Sequence, residues 1–157
     1  MDTTALRAAY DRFLAAAALP DLGRAQDGGW DADQVLAHVL SVDAGIAASA
    51  LGVVAGARPG FDNRIALDAA NLARIVAEHG GRTGLIAAVR NQGAVLCDVA
   101  GRLGDGPAAV LLPTLLVSDG EVLVDQPVSL GTLVDGLAAD HLPRHTQQLL
   151  DLRAPGG

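Results

Sequence analysis

Asp140-His141-Leu142-Pro143-Arg144-His145-Thr146-Gln147-Gln148-Leu149-Leu150 places two histidines four residues apart near the end of a 157-residue chain. At helical spacing, i and i+4 stand one turn apart on one face, so both imidazoles point the same way. Val134, Leu137, Ala138, Gln148 and Leu149 share that azimuth, which turns the pair toward an apolar interior rather than toward water. Two readings stand here. The pair is either a set of hydrogen-bonded or surface histidines, or two ligands of one divalent ion. Pro143 between them removes a backbone donor and crowds the carbonyl four residues back. Two backbone outcomes fit: a kink near Ala139, or a new helical segment capped by Asp140 with Pro143 in its first turn.

Working outward, the stretch belongs to a last helix that Ser129 caps and that reaches about Leu152. Before it, two β-rich runs, Thr114 to Val117 and Glu121 to Asp125, flank Asp119-Gly120 and predict one β-hairpin ended by Pro127. Four helices precede the hairpin. The first spans about Thr3 to Leu19 and stops at Pro20; the second runs from Ala32 to Ala57 with Asp31 as its cap. The third covers about Asn63 to Glu78, and the fourth Thr83 to Leu103, with Gly104-Asp105-Gly106-Pro107 as a break. No repeat or linker divides the chain. The expectation is a single mainly α domain over residues 1–153, an antiparallel helical bundle with an inserted hairpin, followed by a frayed tail at 154–157.

Composition narrows the function. The basic residues are eleven Arg with no Lys, the acids are sixteen Asp and two Glu, and the net charge is −7. Such a chain is a poor partner for a phosphate backbone, so nucleic acid is not expected. The lone Cys97 excludes an internal disulfide or a cysteine-based zinc ribbon and reads as a core residue. The amphipathic N-terminus lacks signal-peptide character and the longest apolar run, Ala44 to Ala57, is short for a bilayer, so a soluble cytoplasmic protein is expected. Four histidines remain as strong nitrogen donors: His38, His79, His141 and His145. His79, at a helix C-terminus before Gly80-Gly81, reads as a dipole-complementing residue.

His38 shares an azimuth with Gln34, Ser41, Val42, Gly45, Ser49 and Gly52, a small and polar stripe on an apolar helix. Small residues there serve either a close helix contact or the wall of a ligand pocket. Arg90, Gly93, Ala94, Cys97 and Gly101 form a second stripe on the fourth helix. Arg90 reads either as a solvated side chain or as a clamp for a substrate carboxylate.

Trp30 at the start of the second helix, His38 eight residues later, the hairpin with Asp119-Gly120, and His141-x-x-x-His145 follow one another in an order that resembles the DinB-like superfamily. That superfamily includes mycothiol-dependent maleylpyruvate isomerase N-terminal domains and bacillithiol transferases, and the resemblance covers nearly the whole chain. It implies an up-down-down-up four-helix bundle with the third helix as an extra piece, and a divalent metal held by His38, His141 and His145. It implies transfer of a low-molecular-weight thiol such as mycothiol to a small electrophile, or a thiol-assisted isomerisation, and a homodimer. Pro143 departs from the pattern. For three neutral imidazoles zinc is the default ion, with nickel, iron or copper as alternatives. Gln34, Ser41, Gln148, Asp140 and carbonyls near Pro143 are the candidate groups around the ion or its substrate. Metal-dependent hydrolysis and a non-catalytic metal- or ligand-binding module are the competing readings.

Overall fold

The computed structural model describes residues 1–25 and 28–153; the tail expected to fray, 154–157, and residues 26–27 of the first loop lie outside them. The fold is mainly helical with a small three-stranded sheet. In chain order the elements are α1 (Thr4–Ala17), α2 (Ala32–Val54), β1 (Phe61–Asp62), α3 (Ala69–His79), α4 (Arg82–Arg102), α5 (Asp105–Ala108), β2 (Leu111–Ser118), β3 (Glu121–Ser129), α6 (Leu130–Gly136) and α7 (Leu142–Asp151).

α2 is the central helix. Asp31 and Gln34 start it with a capping box: the Asp31 carboxylate accepts from Gln34 N–H at 2.9 Å, and Gln34 Oε1 accepts from Asp31 N–H at 3.0 Å. Val35, Leu36, Val39, Val42, Ile46 and Ala50 are all buried along it. By length and composition α2 could cross a membrane (mean hydropathy 1.6), yet 56% of that window is buried inside the fold. Its apolar surface is met by neighbouring elements: α4 packs along α2, and α1 packs against α4 and α7. Phe13 of α1 is fully buried between them, a position where truncation to Ala costs about 3–5 kcal/mol.

Four local expectations are corrected. The third helix is two pieces: a 3-10 turn over Arg64–Leu67, then α3, because the Asp68 carboxylate takes Asn71 N–H at 2.7 Å and caps a fresh start. Phe61–Asp62 joins the hairpin as a third strand, parallel to β2, and Gly104 to Pro107 leads into the single turn of α5 rather than a plain break. The hairpin itself is longer than expected, with Pro127 inside β3 opposite Pro113; β3 is the sheet's edge, where proline is tolerated. Its turn has Asp119 at φ 51° and Gly120 at φ 80°, the left-handed pair that a two-residue hairpin loop requires.

Around Pro143 the last helix follows the second expected route in part: a new segment starts with Pro143 in its first turn, but a π turn and not an Asp140 cap precedes it. Ser129 Oγ accepts from Thr132 N–H at 3.1 Å and starts α6, as the sequence predicts. Between α6 and α7 the helix widens into a π turn over Leu137–His141, and Leu142 N–H reaches Leu137 O, five residues back. The wide turn accommodates a proline, whose ring would otherwise press on the carbonyl of Ala139. Pro143 then sits in the first turn of α7, and Asp140 pairs with Arg144 instead of capping.

Candidate metal centre

His38 from α2, His141 from the end of the π turn and His145 from α7 converge. One ligand atom from each lies within 4.8 Å of the others. Each ring is oriented by its surroundings. His38 Nδ1 lies 2.8 Å from the carbonyl oxygen of Ala66, so Nδ1–H donates there and Nε2 is the free lone pair. His145 Nδ1 donates to Gln148 Oε1 at 2.8 Å, leaving its Nε2 free as well. Nε2 of His38 and Nε2 of His141 lie 3.1 Å apart, while His141 Nδ1 is buried without a hydrogen-bond partner.

Trp30, at the entrance to α2, covers the cluster. Its ring centroid is 4.8 Å from that of His38 and 6.5 Å from that of His145, nearly parallel to the latter at 23°. This apolar roof and the burial beneath it control protonation. Burial first, and the neighbouring His145 second, pull His38 down to about 4. His141 is held well below its ordinary value by burial and by both other histidines. His145 is also lowered, mainly by burial, against the opposing pull of Gln148. All three rings are therefore neutral at pH 7, the form that ligates metals.

The donor set fits a divalent ion. In a tetrahedral site with metal–nitrogen bonds of about 2.05 Å, ligand nitrogens are about 3.4 Å apart. The 3.1 Å His38–His141 spacing is close to this, and the 4.8 Å limit on the set leaves His145 a side-chain adjustment away. Among the described residues the cluster is three histidines, so a divalent ion held there would keep at least one position free of protein ligands.

That space is a cavity of about 1050 Å³. The histidines line it together with Val42 and Ile46 of α2, Phe61 of β1, the inner side of the hairpin, and one face of α6 and α7. Gln148 lies where the sequence suggests, on His145, and Asp140 lines the cavity but is paired with Arg144 at 3.1 Å. Gln34, Ser41 and Arg90 do not line it. Gln34 is occupied in the α2 cap, and Arg90 is exposed on α4. The cation that lines the cavity is Arg144, legible in retrospect because Asp140, Arg144, Gln147/Gln148 and Asp151 recur at helical spacing around the histidines.

The two small-residue stripes have packing partners. A Cβ on Gly45 would stand 3.0 Å from the Phe61 ring, one on Gly52 3.3 Å from Pro59, and one on Gly93 2.8 Å from Tyr10. At these glycines the missing side chain lets chain approach chain, while His38 and Val42 of the first stripe line the cavity. Cys97 is buried, and burial pushes its thiol up, as suits a core residue. His79 is exposed at the end of α3, where left-handed Gly80 forms the C-cap. Comparison with protein-family models, with curated proteins and with solved structures finds no match for this chain.

Proposed function

We propose that this chain is a DinB-like metalloenzyme that uses a divalent ion, zinc by default, on His38, His141 and His145 to join a low-molecular-weight thiol to a small electrophile. The observation that carries the reading is the convergence of three buried, neutral imidazoles, with His38 and His145 fixed by Ala66 O and Gln148 Oε1, on the wall of a ligand-sized cavity. When bound, such an ion supplies Lewis acidity and lowers the pKa of a thiol or water. The chain's own residues do the rest. Ala66 and Gln148 hold two rings with Nε2 inward, and Trp30 covers them from the α2 side. Arg144 offers a cavity-lining cation for an anionic group, in exchange with Asp140.

Thiol transfer is preferred to hydrolysis because Asp140, the cavity-lining carboxylate next to His141 in the chain, already accepts from Arg144 through both oxygens. The test is a transfer assay of zinc-loaded protein with 1-chloro-2,4-dinitrobenzene and, in turn, mycothiol, bacillithiol, glutathione and coenzyme A. Turnover with one thiol, abolished by chelation and by His38→Ala, is expected. A protein that binds metal but turns over none of the four leaves the site a hydrolytic or binding one and removes this reading.

A further inference from the structure

The cavity has two characters along a single helix. At its α6 end the lining residues are Leu133, Gly136, Leu137 and Thr132, whose hydroxyl is paired with Ser129; past the histidines, on α7, they are Arg144, Gln147, Gln148 and Asp151. Val42 and Ile46 of α2, Phe61 and the hairpin's Val128 add further apolar surface. At about 1050 Å³ the space is at the upper end of single-ligand pockets, with room for an apolar and a polar ligand together.

Gly136 is the telling residue. It is helical at φ −59°, ψ −30°, so no backbone strain calls for glycine, and a Cβ built there would meet nothing within 4 Å. It is nonetheless half-buried and lines the cavity. Glycine inside a helix is unfavourable relative to alanine or leucine, and here neither packing nor conformation requires it. What its missing side chain provides is room in the cavity beside the apolar wall.

We infer that the space over Gly136 is the seat of an alkyl or aryl group, making the ligand of this cavity a hydrophobic small molecule whose other end reaches the histidines. Identifying that molecule as the electrophile rests on the thiol-transfer reading above; the apolar seat itself does not. The polar face of α7 is left for a second, hydrogen-bonding ligand.

The probe is a series of n-alkanols from butanol to octanol, titrated calorimetrically into the metal-loaded protein. Burial of each methylene in an apolar seat lowers Kd about fourfold. Gly136→Leu fills the seat with a better helix former, so its melting temperature should equal or exceed that of the parent while octanol affinity falls at least tenfold. Arg144→Ala, on the polar face, should leave octanol affinity unchanged. A Kd independent of chain length, or a stably folded Gly136→Leu that binds octanol as tightly as the parent, overturns the inference. Octanol binding in a protein that takes up no divalent ion removes the metalloenzyme reading and leaves the apolar seat standing. Metal uptake without alkanol binding does the reverse.

Discussion

Nε2 of His38 and Nε2 of His141 face each other at 3.1 Å, although 103 positions separate the two residues. Two ring nitrogens this close share either a proton or a cation. If a proton, His141 Nε2–H donates to His38 and its Nδ1 becomes a bare acceptor, buried and without a partner. A cation would instead take both lone pairs, and the buried Nδ1–H of His141 would then be the atom without a partner, so the 3.1 Å spacing suits a shared proton or a shared ion.

Metal binding should therefore be readable at the protein's single tryptophan. Trp30 lies 4.8 Å, centroid to centroid, from His38. Titration with copper(II) or cobalt(II) should quench its fluorescence with a break at one equivalent, whereas zinc should compete without quenching. His38→Ala and His145→Ala should lose the stoichiometric break. Quenching that persists unchanged in both variants would mean that the ion sits elsewhere.

Gln148 should govern affinity without touching the ion. Replacing it by Leu strips His145 Nδ1–H of its acceptor at 2.8 Å, and losses of about 10–100-fold in metal affinity are typical for such supports. Competition against a chromophoric chelator measures this. Gln148→Glu, which keeps an acceptor, should retain most of the affinity.

Asp43 sets an alkaline weakness far from the histidines' chemistry. It is fully buried on α2, and neither carboxyl oxygen has a hydrogen-bond partner; its polar neighbour Tyr10 also lacks one. Burial pushes Asp43 up to about 8 against the opposing pull of the nearby Tyr10, whose own hydroxyl is driven far above its ordinary range by burial. Between the unfolded value of 3.8 and the folded value of about 8 the native state holds the extra proton. Stability should fall with rising pH through that window, by up to about 1.4 kcal/mol per pH unit, and level off above it. His38 acts oppositely: lowered from 6.5 to about 4, it costs stability as pH falls through that range. His141 and His145, also lowered, act in the same direction as His38, so in chelator three histidines oppose Asp43 below pH 6.5, and the Asp43 slope stands alone from 6.5 to 8. Urea denaturation of the parent and of Asp43→Asn at pH 6.5, 7.25 and 8 should show a declining series in the first and a flat one in the second.

Substitutions at the two misplaced polar candidates should separate cap from site. Gln34→Ala should cost about 1 kcal/mol of stability through the α2 capping box and leave metal affinity intact. Arg90→Ala, at an exposed position on α4, should stay within about 0.5 kcal/mol in stability and leave ligand binding unchanged. Thermal melts and the same chelator competition check both.

Helical periodicity made His141 and His145 legible as a pair on one face, whereas joining His38 to them rested on the resemblance to the DinB-like pattern, since its own helix left a packing contact and a pocket wall equally open. The wall opposite them was not legible. The hairpin's turn chemistry announces strands, but which side chains close over a site depends on where β2 lands, and that is set by pairing with Phe61–Asp62, a strand too short to show any period. Glycines misled for a physical reason: the absence of a side chain signals close approach without saying by what. At Gly45 it is Phe61, at Gly93 it is Tyr10, and at Gly136 it is open space. Asp43 carried a plain signal that the sequence reading passed over, an acid in the middle of an apolar helix.

The π turn over Leu137–His141 makes the site depend on how many residues the helix contains, and not only on which ones. An α-helix advances 100° per residue. The wide turn absorbs one extra residue, so deleting one would relax it to α-helix with α7 near its present phase, whereas α-helical bonding through the undeleted segment would swing His145, Gln148 and Leu149 together by about that angle. Point substitutions at Ala138 or Ala139 leave the phase alone. A scan of the segment should therefore tolerate changes of identity and a one-residue deletion within the turn, and reject an insertion, so that part of the site is written as a count in the backbone.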